Sequence, residues 1–231
     1  MTFNFDGTKF APVCGVLRIT RMNDVPAARG EDPRPGVSPE AFVLRDLVVK
    51  NRSYRRFDQG FAVTAETLRE LVDLARLSGS AGNKQPLKYI LSCDPQKNAL
   101  IFAHLAWAGY LKDWPGPAEG ERPSAYIIML GDREISPSFD FDNGIAAQSI
   151  LLGAAERGLG GCMIASIQRT QLRKQMNIPE RYEILLVIAL GRPVETVILE
   201  AVPSGGNIQY WRDGEGRHHV PKRALEEVIL A

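Results

Sequence analysis

The chain has 231 residues, of which 45% are hydrophobic and 24% charged, a balance typical of one globular domain with a sizeable core. Lys and Arg (28) nearly match Asp and Glu (27), so the net charge of +1 does not indicate nucleic acid or an anionic membrane as a partner. No apolar run approaches the roughly 18 residues of a membrane-spanning helix. Cys14, Cys93 and Cys162 are widely separated, which predicts buried thiols in a reducing cytoplasm rather than disulfides or a zinc site.

The N-terminal segment differs in composition from the rest of the chain. A short apolar run at 10–17 has Asp6 before it and Arg18 directly after it, which makes a poor secretory signal. Pro, Ala, Gly and charged residues dominate 23–39 and favour an irregular arm. We therefore expect an arm at 1–39 and one domain at 40–231 that ends in an extended tail.

Helical and strand patterns then follow one another. The predicted elements are a helix that begins at Ser38-Pro39, a helix from Thr64 to Gly79, a strand at 87–93, a long helix from Asp94 to Leu111, a strand at 125–130, a helix from Asp142 to Arg157, a strand at 162–167, a short helix at 170–177 and a buried strand at 184–190. Residues from Arg192 onward predict a loop-like tail until 224–230. Because no steady β-α-β rhythm is present, we predict an α+β fold.

Several familiar catalytic motifs are absent or incomplete. Gly158, Gly160 and Gly161 lack the third glycine of a dinucleotide-binding loop and follow a helix instead of a strand. His104 falls within an apolar predicted helix, which favours a core histidine over a catalytic base. No residue is an obvious acid, base or nucleophile, and no cluster has the spacing of metal ligands. The sequence therefore predicts neither a catalytic side chain nor a metal.

Three segments carry groups that could bind an anion or a heterocycle. Residues 52–56 place three guanidiniums beside the Ser53 hydroxyl, which suits a phosphate but also a solvated basic helix end. In the loop 80–86, the amides of Asn83 and Gln85 could contact the edge of a heterocycle, or the loop could be a simple turn before a strand. Lys222 and Arg223 add two cations near the C-terminus, where a solvated tail is the alternative.

Taken together, these segments resemble the nitroreductase family of FMN-dependent oxidoreductases. The motifs, in the family's order, are Arg52-Ser53-x-Arg55-x-Phe57, Ser80-x-x-Asn83-x-Gln85-Pro86, Asp142-x-x-x-Ala146-Ala147-Gln148, Glu156-Arg157-Gly158-Leu159-Gly160-Gly161-Cys162, Ala189-Leu190-Gly191-x-Pro193 and the basic C-terminus. The chain departs from the family at Leu87, where Trp is frequent, and at Gly79, where Pro is common. The departure at Leu87 alters one wall of the implied pocket.

The resemblance implies a central, mainly antiparallel sheet flanked by helices, in an intertwined homodimer with shared active sites. The implied FMN-binding residues are Arg52, Ser53 and Arg55, the loop residues Ser80, Gly82, Asn83 and Gln85 from the other subunit, the backbone of Ala165 or Ser166, and Lys222 and Arg223, with His219 as a substitute for one of these two. The helix that begins at Asp142 is rich in small residues, so it could pack in a dimer core or within one subunit.

The resemblance also implies the reaction. Hydride would pass from NADH or NADPH through flavin N5 to a nitroaromatic, a quinone or a similar planar acceptor, with ping-pong kinetics, in a cytoplasmic enzyme. One alternative is an enzyme of the same fold that catalyses reductive dehalogenation or oxygen-dependent flavin cleavage. Another alternative is a flavin-binding store or sensor without turnover.

Overall fold

A computed structural model describes residues 39–230, with side chains described from residue 44. Nearly all of the predicted arm at 1–39, together with Cys14, lies outside these residues. The helices are α1 (Pro39–Lys50), α2 (Ala65–Leu77), α3 (Pro95–Phe102), α4 (Asp140–Glu156), α5 (Arg169–Gln175) and α6 (Leu225–Val228); the strands are β1 (Phe57–Asp58), β2 (Leu87–Ser92), β3 (Ala125–Asp132), β4 (Gly160–Ile164), β5 (Tyr182–Pro193), β6 (Val197–Val202), β7 (Trp211–Arg212) and β8 (His218–Arg223). None of the helices described is long and apolar enough to cross a membrane.

A five-stranded sheet forms the centre of the molecule. Its order is β1-β5-β3-β2, and β4 also pairs with β5. Every pair is antiparallel, with Ile127 opposite Ile188 and Cys162 opposite Ala189. Side chains on both faces of β3 and β5 are buried, which explains why these two strands are nearly continuous apolar runs. The predicted α+β class and antiparallel sheet are confirmed.

Helices α2 and α4 cover one face of this sheet. Leu68 and Leu71 of α2 and Ile150 of α4 are fully buried there. At Gly153 of α4, a Cβ would collide with the Leu74 side chain, so this glycine permits the close approach of the two helices. Helix α4 is thus a core helix within one subunit, while Phe141 at its N-terminal end is 78% exposed.

The other face of the sheet packs against α3, α5 and an irregular segment after α3. The predicted helix from Asp94 to Leu111 is wrong beyond Phe102, because the chain turns there and Ala108 has a φ of 41°. Trp107 is buried in this irregular segment, so the apolar character of the sequence reflects packing rather than a continuous helix. His104 is half-buried, with Nδ1 3.5 Å from Gln168 Oε1, and is not a core residue.

The prediction of a loop-like tail after Arg192 is wrong. Strands β6, β8 and β7 form a second sheet in which β6 and β8 are parallel, with Val197 opposite His218 and Ala201 opposite Lys222.

The prediction of buried thiols holds for Cys162 but not for Cys93, which is exposed.

Candidate functional site

A cleft of about 310 Å³ lies where the end of α1, helix α4, strand β4 and strand β8 meet. Its walls comprise Asn51, Arg52, Ser53, Arg55, Gln148, Leu151, Met163, Tyr210, His218, Val220 and Lys222. The segment after α1 is fixed beside β4, because the Tyr54 N–H donates to the Gly161 carbonyl at 3.0 Å and Ser53 forms a bridge with Gly161. Four residues of the predicted site, Arg52, Ser53, Arg55 and Lys222, are thereby brought together.

Arg55 is the most buried cation of this cleft, with 9% of its surface exposed. Its Nη1 donates to the Ser53 carbonyl at 3.1 Å and lies 3.2 Å from His218 Nε2. Its guanidinium lies 4.8 Å from the centre of the Tyr210 ring. These contacts hold a positive charge in one position without a carboxylate beside the guanidinium among the described residues.

A buried carboxylate lies behind this cation. Glu195 Oε1 accepts hydrogen bonds from the backbone N–H groups of Arg55 and Arg56, the second at 3.2 Å. Glu195 Oε2 accepts from Arg212 Nη2 at 2.9 Å. Arg56 itself pairs with Glu121 at 2.5 Å and does not line the cleft. Glu195 therefore fixes the backbone of the basic motif while Arg212 balances its charge.

His218 contributes a neutral imidazole to the cleft. Burial lowers its pKa to about 4, and the nearby charges of Arg55, Arg212 and His219 act in the same direction. Since Arg55 Nη1 is a donor, His218 Nε2 is its acceptor, and His218 Nδ1 has no hydrogen-bond partner among the described residues. His218 thus lines the cleft and carries a buried N–H without a partner among the described residues.

His219 faces away from this cleft and has its own partners. Its Nδ1 lies 2.6 Å from Glu200 Oε1, its Nε2 lies 3.1 Å from Asp213 Oδ2, and its ring stacks on Trp211. Burial lowers the pKa of His219, but the hydrogen bonds with the two carboxylates outweigh burial and raise it. His218, rather than His219, is the histidine of the cleft.

Arg52 and Lys222 are the other cations of the cleft. Arg52 Nη2 donates to the Val48 carbonyl at 2.5 Å, whereas its buried Nε has no hydrogen-bond partner among residues 44–230. Burial lowers the pKa of Arg52. Arg223, the other predicted phosphate ligand, lies 3.4 Å from Glu227 and does not line this cleft.

The predicted loop at 80–86 lies elsewhere in the subunit. Ser80 Oγ donates to Asp142 Oδ2 at 2.5 Å and Ala81 N–H donates to Asp142 Oδ1 at 2.8 Å, so the loop is tied to the first turn of α4. The loop contains left-handed backbone at Gly82, Asn83 and Gln85. None of Ser80, Gly82, Asn83 and Gln85 lines the cleft of the same subunit.

Ala165 and Ser166 follow the last residue of β4 and are exposed. The neighbouring Met163 lines the cleft and is 39% exposed. Sequence reasoning did not select Glu195, Tyr210 or His218. Their partner Arg55 lies 140 to 163 positions away from Glu195 and His218 along the chain, and no local motif signals such contacts.

Known proteins share both the sequence pattern and this fold. A Bacillus subtilis protein named as an NAD(P)H nitroreductase, YodC, is 23% identical, over 65% of this chain and 89% of its own. A nitroreductase family protein of Streptococcus pneumoniae has a crystal structure that covers 81% of this chain and 99% of its own, with a TM-score of 0.58 and 17% identity. The structure of the NADPH:FMN oxidoreductase of Vibrio harveyi with NAD⁺ covers 66% of this chain and 69% of its own, with a TM-score of 0.53 and 21% identity.

The sequence model of the nitroreductase family matches residues 48–192, which include the basic motif, the loop at 80–86, α4 and the central sheet except Pro193 at the end of β5. This span is more than half of the chain. The second sheet, which provides His218 and Lys222, lies after the matched residues. The chain belongs to the nitroreductase family.

Proposed function

We propose that this protein is an FMN-dependent oxidoreductase that uses NADH or NADPH to reduce a nitroaromatic, a quinone or a similar planar acceptor. The observation that carries the proposal is the convergence of Arg52, Arg55 and Lys222 with Ser53 in one cleft of a nitroreductase-family chain. The relatives' names, which include NAD(P)H nitroreductase and NADPH:FMN oxidoreductase, support the same reaction class.

The donor set of the cleft fits FMN. A phosphate is bound by charge-assisted hydrogen bonds from cations and hydroxyls, and Arg52, Ser53 and Lys222 supply these. Arg52 Nε and His218 Nδ1 are buried polar atoms without partners among the described residues, and a bound polar molecule would satisfy them. The cavity volume of about 310 Å³ is at the small end for ligand pockets, in agreement with a site that a second subunit completes.

FMN, when bound, supplies the centre that accepts and donates hydride, so the side chains bind, orient and tune the cofactor. We assign Arg52, Ser53 and Lys222 to the phosphate region and Arg55 to the pyrimidine side of the ring. A fixed guanidinium stabilises negative charge as it develops during reduction, without reorganisation. The contacts of Arg55 with the Ser53 carbonyl, His218 and Tyr210 provide that rigidity.

We further propose that the active site is shared in a homodimer. The loop with Ser80, Gly82, Asn83 and Gln85, tied to Asp142, would reach the cofactor of the partner subunit, and the backbone of Ala165 or Ser166 would lie beside the ring. An exposed apolar surface supports the dimer: Leu44 and Val48 on α1, and Phe141 and Ile145 on α4. In this proposal the FMN-binding domain spans 40–231, residues 1–39 are an arm, and the enzyme is cytoplasmic.

Adjacent arginines provide a matched test of cofactor binding. Arg55 lines the cleft, whereas Arg56 pairs with Glu121 outside it. We expect wild type to contain about one FMN per subunit, Arg55→Gln to bind FMN at least ~10-fold more weakly, and Arg56→Gln to retain it. Fluorescence titration of the apoprotein with FMN measures this. If apo wild type fails to bind added FMN, the proposal is wrong.

Anaerobic mixing with NADH or NADPH tests the reaction. The flavin of wild type should be reduced, and Arg55→Gln, at saturating FMN, should be reduced about 10²-fold more slowly, a typical loss for one charge-stabilising donor. Steady-state plots against a quinone should give the parallel lines of ping-pong kinetics. Flavin that stays oxidised would favour the store or sensor; reduced flavin that transfers no electrons to quinones or nitroaromatics would favour dehalogenation or flavin cleavage.

A further inference from the structure

A second cavity, of about 300 Å³, lies between the start of α3, the segment after β1 and the segment that enters β3. It shares no lining residue with the cleft that contains Arg55. None of the residues assigned to FMN or to the dimer lines it. Its chemistry is therefore unexplained by the proposed function.

Three polar residues that line this cavity lack partners for their side-chain atoms. Tyr126 Oη, Ser124 Oγ and Arg122 Nε are buried, and none has a hydrogen-bond partner among the described residues. Tyr126 as a whole is 1% exposed. Burial also raises the pKa of Tyr126, so its hydroxyl stays protonated and can donate. Because buried polar groups are normally hydrogen-bonded, three such groups around one cavity indicate a bound acceptor.

Arg122 also gives the cavity an unbalanced positive charge. Its guanidinium lies over the Phe102 ring, 4.5 Å from the ring centre, and no carboxylate of residues 44–230 forms an ion pair with it. Its backbone is fixed, since the Arg122 N–H donates to Gln59 Oε1 at 3.3 Å. Arg56, Arg181 and Arg212, by contrast, each pair with a carboxylate. Arg122 is thus a cation that is held in place and can form an ion pair with a bound anion.

The remaining walls are mostly apolar and include Val63, Ala99, Phe102 and Pro123. We propose that this cavity binds a small organic carboxylate, whose head group accepts hydrogen bonds from Arg122, Ser124 and Tyr126 and whose apolar body packs against Phe102. One guanidinium and two neutral hydroxyls match a single negative charge rather than a doubly charged phosphate. The cavity volume suits a ligand the size of an aromatic or short aliphatic acid.

The proposal is tested by isothermal titration calorimetry, in which benzoate is added to the FMN-loaded protein. Benzyl alcohol serves as the uncharged analogue of benzoate. We expect saturable binding of benzoate but not of benzyl alcohol. Arg122→Met should weaken benzoate binding at least ~10-fold and Tyr126→Phe about fivefold. Arg192→Met is the matched control, because Arg192 also lies over a phenylalanine, Phe61, but does not line the cavity. This control should bind benzoate like wild type.

The reactivity of Cys93 reports whether benzoate binds in this cavity, because this exposed thiol lines it. Benzoate should slow the alkylation of Cys93 by iodoacetamide, followed by the mass of its peptide, in wild type but not in Arg122→Met. Tyr126→Phe without benzoate should unfold at the same urea concentration as wild type or higher, since it loses an unpaired buried hydroxyl. The proposal is overturned if benzoate does not bind, if it binds all variants equally, or if Cys93 is unprotected.

Discussion

Glu195 shows how one buried side chain can fix the backbone beside a cleft without lining the cleft itself. Its two oxygens accept from the backbone of Arg55 and Arg56 and from the Arg212 guanidinium. Arg212 in turn lies over the Trp114 ring, 4.2 Å from its centre. A carboxylate with 1% of its side chain exposed thus links the basic motif to the second sheet. The backbone of Arg55 is therefore held by this link, while its guanidinium is held by Ser53, His218 and Tyr210.

Two carboxylates that pair with arginine in this region should respond differently to neutralisation. Glu195→Gln leaves Arg212, 16% exposed, without its charge partner, and should lower the free energy of unfolding by about 3 kcal/mol. Glu121→Gln removes a more exposed pair with Arg56 and should cost about 1 kcal/mol or less. Urea denaturation of both variants measures the difference. Equal losses would show that burial does not distinguish the two pairs.

At the residue scale, the sequence predicts those residues of the candidate site that lie close together along the chain. Arg52, Ser53 and Arg55 are adjacent, so their shared cleft follows from one motif, and the family resemblance places Lys222 with them. Glu195 and His218 could not be predicted in this way. Their roles arise from pairing with residues about 140 or more positions away, which no spacing within the sequence encodes.

At the scale of elements, strand β4 connects the central sheet to the cleft. Gly161 is the position where the basic motif bridges to this strand. A Cβ at Gly161 would lie 2.6 Å from the Ala189 carbonyl oxygen on β5 and 2.7 Å from the Leu151 side chain on α4. Since a carbonyl of a central strand cannot move aside, the close packing of three elements requires glycine here.

Gly161→Ala should therefore lower the free energy of unfolding by about 1–3 kcal/mol, through overpacking against β5. Gly79→Ala is the control, because no atom lies within 4 Å of the added Cβ and the backbone is not left-handed. It should change stability by about 0.5 kcal/mol or less. Urea denaturation compares the two. If both substitutions have the same small effect, the packing around Gly161 adapts more readily than the structure indicates.

Long apolar elements were the most predictable part of the fold. Strands β3 and β5 can be predicted from the sequence, because burial of both of their faces makes them nearly continuous apolar runs. The second sheet was missed because β8 contains His218, His219, Pro221, Lys222 and Arg223, a composition that lacks the usual strand pattern. Helix α3 was predicted too long because residues after Phe102 are apolar for packing around Trp107, and a helical pattern alone cannot distinguish the two causes.

At the scale of the whole molecule, four large apolar side chains are exposed on two helices that contact each other. Leu44 (61% exposed), Val48 (42%), Phe141 (78%) and Ile145 (43%) lie on α1 and α4. Contiguous exposed apolar surface in a folded protein commonly marks an interface with another chain. This surface supports the proposed dimer, in which the loop tied to Asp142 at the start of α4 would reach the neighbouring cofactor.

Ile145→Glu places a charge on this surface, so we expect the dimer to dissociate and FMN to be lost with it. Val194→Glu is the control, because Val194 is similarly exposed (51%) but lies outside α1 and α4. It should remain a dimer with FMN bound. Light scattering coupled to size-exclusion chromatography, with flavin absorbance, measures both properties. A dimer of Ile145→Glu that retains FMN would place the interface elsewhere.

The parallel pairing of β6 with β8 has a consequence for the order of events during protein synthesis. Arg52 leaves the ribosome early, whereas His218 and Lys222, which line the same cleft, are among the last residues of the described chain to be translated. The central sheet can therefore form on the nascent chain before the cleft exists. Under the proposed function, tight binding of FMN therefore follows the emergence and pairing of β8, so that cofactor loading is a late step of biogenesis.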